Sequence, residues 1–370
     1  MKKIHSSRIL FSAFLICSVA FSACHKSSSS TGDAVDFKTL EANVINEFTN
    51  KTALPQYDSL VKAATALNTA ITNLSGSPTD DNLIAAQTAW KNVRTVWEQS
   101  EGFLIGPVES NDYDPNTDTW PTDYTQMDSL LTSGNPLGES DIQNLTQSLR
   151  GYHPVEYLLF RNGENQVRTA SSFTQRQMQY LISLSADILD NNVSQLLQSW
   201  TSAPANYANA ILTAGASGNT VYSSKLAFFL DIAGDNGMAG ICNEVGQANA
   251  DGKMYAPYSK RDSTITESPY SDNSLNDFRN NIIGAQNVYL GLNGGLGIKD
   301  LVAAKNKNLD NQIRAQFTAA INSFSNITER YEQAILDQRV QVQATMTAIQ
   351  TLQSLLDNDL INFLKTNVQD

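Results

Sequence analysis

The chain predicts an all-α fold built as two helical bundles in series, and three observations carry that expectation. Apolar residues recur at i, i+3 and i+4 in almost every segment, the repeat of one buried helix face. Alternating patterns long enough for a β-strand are missing. The body that follows the first two dozen residues exceeds the usual size of one domain, and long antiparallel helices with short connections form bundles.

The elements follow in order. Residues 36–49 place Leu40, Val44, Ile45 and Phe48 on one face, and residues 55–74 do the same with Leu60, Ala64, Leu67, Ile71 and Leu74. Residues 79–103 align Trp90, Val93, Trp97 and Glu101, with Leu104 beyond. Shorter helices are expected at 139–149 and 154–160, then a long one at 174–200. The second bundle reads as 217–249, 274–290, 308–324 and a closing stretch to 364. The break falls near 202–206, where Ser-Ala-Pro-Ala-Asn follows Trp200. The expected bundles therefore cover 36–200 and 201–370.

Three loops are too long or unusual to be plain connectors: 106–132, rich in Asp, Pro and Tyr; 253–273, with two prolines; and the glycine-rich 291–297. The last follows a helical pattern rather than a strand, so it reads as helix termination and not as a dinucleotide loop.

Residues 1–23 read as a bacterial secretory leader. Lys2, Lys3 and Arg8 precede an apolar run, 9–21, too short to span a bilayer. Phe21-Ser22-Ala23-Cys24 resembles a lipobox, so cleavage before Cys24 and acylation of its thiol would anchor the chain. Residues 24–35 then form a polar tether. The expected location is the bacterial cell envelope, on the periplasmic face of the outer membrane or the cell surface, with the membrane contacted through lipid alone.

Once Cys17 leaves and Cys24 is lipidated, Cys242 stands alone, without an intramolecular disulfide partner; beside Ile241 it reads as a small buried hydrophobe. The net charge of −12 becomes more negative when the basic leader is removed. Such a surface repels nucleic acid and attracts cations.

His153 is the body's lone histidine, since His5 lies in the leader and His25 in the tether. One imidazole excludes the H-E-x-x-H arrangement, so a side-chain metal site must rely on carboxylates. Gly151 permits a sharp turn and Pro154 suits a first helical turn, placing His153 at a helix start. Glu156, three residues on, shares its face and is positioned to close on the same ion; the alternative is a packed or capping histidine. Glu101 lies on the apolar stripe of 79–103, where a carboxylate must be paired, metal-bound or protonated. Its structural alternative is an ion pair with Arg94 or Arg150. Glu98 projects to the side, either onto a wet face or to the edge of the same site.

Trp97-Glu-Gln-Ser-Glu101-Gly-Phe-Leu-Ile-Gly106-Pro, Trp120-Pro-Thr-Asp123 and Gly151-Tyr-His153-Pro-Val-Glu156 together resemble the imelysin family, whose hallmark is G-x-H-x-x-E. The second half fits as well, through Asn243-Glu244, the 267–277 segment and Asn287-Val-Tyr-Leu-Gly291. The resemblance implies two four-helix-bundle-like domains in tandem, related by duplication, in exported envelope proteins linked to iron acquisition. It implies metal ligands at His153, Glu156, Glu101, Asp123 and Glu98, with Gly151, Trp97 and Trp120 supporting the motif. It also implies a second polar cluster of Glu244, Glu267, Ser271 and Asn273. The family's name comes from an insulin-cleaving metallopeptidase.

An oxygen-rich, hard set with one imidazole is better matched to iron, manganese or calcium than to zinc; the resemblance makes iron the leading choice, with zinc or calcium as alternatives. The leading expectation is therefore a lipid-anchored, iron-binding envelope protein that serves envelope iron-transport components. A non-catalytic binder of peptide, glycan or a haem-like ligand comes second. A metallopeptidase comes third, because the usual one-metal His₂Glu and His₃ sets need imidazoles this chain lacks.

Overall fold

The computed structural model describes residues 36–161, 168–250 and 252–369, which hold twenty α-helices and no strand. The leader, Cys24 and the tether lie outside the described residues. No described helix is long and apolar enough to cross a membrane.

The first half runs α1 (Phe37–Glu47), α2 (Leu54–Gly76), α3 (Asp80–Ser100), α4 (Pro107–Ser110), α5 (Tyr113–Asp118), α6 (Tyr124–Thr132), α7 (Glu139–Ile142), α8 (Tyr152–Phe160), α9 (Gln175–Ala186) and α10 (Ser194–Thr201). The second runs α11 (Tyr207–Leu212), α12 (Lys225–Ala233), α13 (Met238–Gly246), α14 (Tyr255–Lys260), α15 (Ser274–Leu290), α16 (Ile298–Lys305), α17 (Lys307–Ser323), α18 (Tyr331–Asp337), α19 (Arg339–Ser354) and α20 (Ile361–Asn367).

Three long rods, 37–76, 175–201 and 339–367, each contain a π-helical turn: Phe48–Ala53, Asp187–Val193 and Leu355–Leu360. Such insertions re-aim the side chains that follow. In the second rod the π turn begins at Asp187, which is fully buried and pairs with Arg150 at 2.8 Å.

Several sequence expectations need adjusting. Residues 139–149 form only α7 and a short 3₁₀ turn. Residues 217–249 are not one helix but α12 and α13, parted at 234–237. A Cβ on Gly237 would sit 2.0 Å from Ile232 O, so the chain closes tightly on itself there. Residues 106–132 fold into the short helices α4, α5 and α6 instead of an open loop. Gly291 caps α15 with φ +76°, the left-handed termination expected of that glycine.

The turn at 202–206 separates α10 from α11, while helices from either side of it pack together, α3 against α15 and α1 against α16. The end of α3 meets α15 backbone to backbone at Gly102 and Gly284. A Cβ on Gly102 would lie 2.4 Å from the Gly284 carbonyl carbon, and one on Gly284 would lie 2.5 Å from Gln99 O. Gln99 Nε2 donates to Asn280 Oδ1 at 2.8 Å beside that contact. The crossing brings the polar end of α3 against the polar start of α15.

A buried carboxylate and histidine cluster

Five segments converge beside this crossing. α3 and the turn after it carry Arg94, Glu98 and Glu101; spacings of four and three residues put them along one helix face. α5 ends on Asp118. α8 begins with Tyr152 and His153 and carries Glu156 one turn later. Residues 266–273 supply Glu267 and Ser271, and α15 supplies Asp277 and Asn281.

Gly151 makes the central approach possible. Its φ of +82° is left-handed, and a Cβ there would sit 2.1 Å from Thr117 O. The start of α8 therefore lies against the last turn of α5, which sets His153 beside Asp118. His153 Nε2 is 3.2 Å from Asp118 Oδ1 and 3.7 Å from Glu267 Oε1. On the other ring edge, Nδ1 is 3.9 Å from Glu156 Oε2. Both ring nitrogens, Glu156 Oε2 and Glu267 Oε2 are buried without an aligned hydrogen bond.

The remaining oxygens are well supplied. Glu156 Oε1 accepts from the backbone N–H of Tyr270 (3.1 Å), the N–H of Ser271 (2.8 Å) and the Ser271 hydroxyl (2.7 Å). Trp97 Nε1 donates to Glu101 Oε1 at 3.0 Å and to Asp118 Oδ2 at 2.7 Å. Asn281 Nδ2 donates to both Glu98 and Glu101. Arg94 pairs with Glu98 and Asp118 and lies 3.3 Å from Glu267. Asp277 accepts from Ser268 Oγ and Asn273 Nδ2, each at 2.6 Å.

Burial sets the charge states. It pushes the Glu98 carboxyl up to about 8 despite the pull of Arg94, and holds Glu101 well above the carboxylate range. Asp277 rises to about 6 for the same reason. Asp118 goes the other way: burial would raise it, but Arg94 and His153 outweigh that and hold it well below its ordinary value. For His153, burial favours the neutral ring, yet the adjoining Asp118 and Glu156 carboxylates lift it to about 9. The cluster is thus rich in acid groups, some of which keep their protons at neutral pH.

A cavity of about 330 Å³ opens onto Glu101 and Asp118, with Asp114, Glu244, Lys253 and Trp120 among its other walls. The Asp114 carboxyl at this wall is pushed up to about 7, by burial first and by Asp118 second.

The expected site residues now have places. His153, Glu156, Glu98 and Glu101 all lie in the buried cluster. Glu98 is fully buried rather than on a wet face. Glu101 is not the partner of Arg94 or Arg150; Arg94 binds the carboxylates named above and Arg150 binds Asp187. Glu156 faces the opposite edge of the imidazole from Asp118 and Glu267, with Oε2 3.9 Å from Nδ1, so the H-x-x-E spacing sets the carboxylate beside the ring instead of gathering both groups at one point. Asp123 is the N-cap of α6, with its oxygens taken by Gln126 N at 2.9 Å and Gln126 Nε2 at 2.7 Å. The carboxylate from that loop is Asp118, five residues earlier.

The second polar cluster divides. Glu267 joins His153, Ser271 holds Glu156, Asn273 holds Asp277, and half-exposed Glu244 stands at the cavity rim. Trp120 Nε1 donates to Thr266 O at 3.0 Å, fixing the strand of chain that carries Glu267. Sequence reasoning missed Asp118, Asn281 and Lys253; it offered Arg94 only as an ion-pair partner for Glu101, and Asp277 only as the end of the 267–277 segment. Arg94 had a readable signal, four residues before Glu98 and three before Trp97 on the buried face.

Asp118, His153 and Glu267 each offer an atom within 4.8 Å of the others, and so do Glu98, Glu101 and Asp118. The first trio fits a hard cation, since it pairs one imidazole with two carboxylates and holds two unpartnered atoms, His153 Nε2 and Glu267 Oε2. The second trio is already occupied by donors from Trp97, Asn281 and Arg94.

Iron-regulated protein A of Synechococcus elongatus is 28% identical over 326 residues, which span 86% of this chain and 85% of that protein. The crystal structure of a protein assigned as an iron-regulated protein A precursor, from Parabacteroides distasonis, superposes with a TM-score of 0.78 at 25% identity, covering 91% of this chain and 97% of that one. An imelysin-like protein from Psychrobacter arcticum shares the fold, with a TM-score of 0.69 at 14% identity over 91% of this chain and 99% of that one. The imelysin family model matches residues 53–358, and the chain belongs to the imelysin family.

Proposed function

We propose that this protein binds iron as cargo at Asp118, His153 and Glu267 and serves iron acquisition at the bacterial cell envelope, anchored there through Cys24. The observation that carries the reading is the trio itself: buried ligand atoms from three segments, within 4.8 Å of one another, with His153 Nε2 lacking an aligned hydrogen bond. The iron-regulated relatives support the choice of metal. The donor set agrees with it, because oxygen-rich sites with one imidazole favour iron and manganese over thiolate-loving ions.

The chain's own residues divide the work. Asp118 and Glu267 supply negative charge and oxygen donors. His153 supplies the nitrogen and must lose its proton to do so. Glu156, fixed by Tyr270 and Ser271, stands 3.9 Å from Nδ1, on the side from which a carboxylate steers a ligand histidine when that nitrogen carries the proton. Arg94 competes for the same oxygens and limits how tightly the site holds its ion.

Calorimetric titration of metal-free protein with Fe²⁺ under anaerobic conditions tests this. Stoichiometric binding in the wild type and its loss in Asp118→Asn and His153→Gln are expected. Equal binding by wild type and both variants would overturn the site.

A further inference from the structure

Lys253 closes the wall between the cavity and the cluster. Its backbone N–H donates to Glu244 O at 2.9 Å, which ties its loop to the end of α13. Its Nζ lies 3.1 Å from Glu244 Oε1 and 3.3 Å from Glu267 Oε1. The two acids differ sharply in position: the Glu267 side chain is 1% exposed and that of Glu244 is 44% exposed. One ammonium therefore spans from a member of the donor trio to a carboxylate in contact with water.

Glu267 Oε1 is the focus of positive charge. Arg94 Nη2 and Lys253 Nζ each lie 3.3 Å from it, and His153 Nε2 lies 3.7 Å away. A divalent ion at the trio would meet the ammonium at close range in a poorly solvated space, where repulsion is strong and grows with the ion's charge. Arg94 is paired with Glu98, Asp118 and Glu267 and has nowhere to go. Lysine is a compact charge on a flexible four-carbon stem. Glu244 offers it a berth at the cavity mouth.

We propose that Lys253 is a tethered cation that occupies the site until a divalent metal replaces it, its ammonium withdrawing from Glu267 to Glu244. This rests on the metal-binding reading above and adds a mechanism of exchange. Binding then swaps one positive charge for two, and release is assisted because the lysine returns. The site gives up affinity and gains reversibility, as a protein that hands its cargo onward requires.

The test uses Mn²⁺, which binds oxygen-rich sites without changing oxidation state during the measurement. Lys253→Met should bind Mn²⁺ at least roughly tenfold more tightly than wild type, which corresponds to about 1.4 kcal/mol. Glu244→Gln should weaken binding in the wild-type background and do so much less in the Lys253→Met background, the non-additivity of coupled groups. A third measurement needs no variant: acetylation of Lys253, read by mass spectrometry, should rise severalfold when saturating Mn²⁺ drives the ammonium outward. Wild-type affinity or weaker in Lys253→Met, or Lys253 labelling that is unchanged or reduced by Mn²⁺, overturns the exchange while leaving the metal site standing. Absence of Mn²⁺ binding in both wild type and Lys253→Met removes site and exchange together.

Discussion

Gly102 and Gly284 touch backbone to backbone where the end of α3 crosses α15, with no space between them for a side chain. Every acidic group that α3 brings to the cluster depends on that contact, because Glu98 and Glu101 meet Asn281 one turn away from it. Gly102→Ala and Gly284→Ala should each cost about 1–3 kcal/mol through overpacking. Gly76→Ala is the control: nothing lies within 4 Å of its added Cβ, so it should be neutral or stabilise by up to ~1 kcal/mol. Urea unfolding of the three variants checks both signs.

The cluster also fixes how stability depends on pH. His153 is lifted from 6.5 to about 9, so its contribution is fully present below pH 6.5 and is lost as pH rises through 9. Glu98, raised from 4.5 to about 8 chiefly by burial, acts in the same direction between those values. The metal-free protein should therefore lose thermal stability steadily from pH 6 to 9. His153→Gln should flatten the upper part of that fall. A melting temperature that climbs over this interval would contradict the assigned charge states.

Metal affinity should move oppositely. A cation must displace the His153 proton, so apparent affinity for Fe²⁺ or Mn²⁺ should rise with pH until about 9 and then level off. Titrations at several pH values in one buffer series read this directly. An affinity independent of pH would mean that His153 is not a ligand.

Asp118 and Asp123 make a clean pair for mutation. Asp118→Asn removes a donor from the trio and should abolish tight metal binding. Asp123→Ala removes only the cap of α6, costing about 1 kcal/mol of stability with affinity unchanged. The opposite ranking in a titration would restore Asp123 to the site.

Glu156→Gln should weaken metal binding roughly 10–100-fold by releasing the imidazole. Ser271→Ala, which removes one of three donors to the same oxygen, should cost about 1 kcal/mol and change affinity less. The comparison separates orienting His153 from merely holding the 270–271 segment.

Much of this was legible in the sequence. The 3.6-residue repeat marks 274–290 to the residue, and the charge of Glu101 on an apolar stripe demands a partner, a metal or a proton. His153 and Gly151 were legible because local chemistry dictates them: one glycine conformation and one helix start. Asp118 was not, because it reaches His153 through the path of the short helices between 106 and 132, which no periodicity encodes. Asp277 and Asn281 were hidden for a related reason. Only the Gly284 contact seats their side of α15 on α3, and no spacing within 274–290 encodes that partner.

The trio draws Asp118 and His153 from before the 202–206 turn and Glu267 from after it. An ion gripped there would act as a rivet through the whole body of the molecule. Emptying the site and loosening the fold would then be one event, and resistance to proteases would report how much cargo each copy carries.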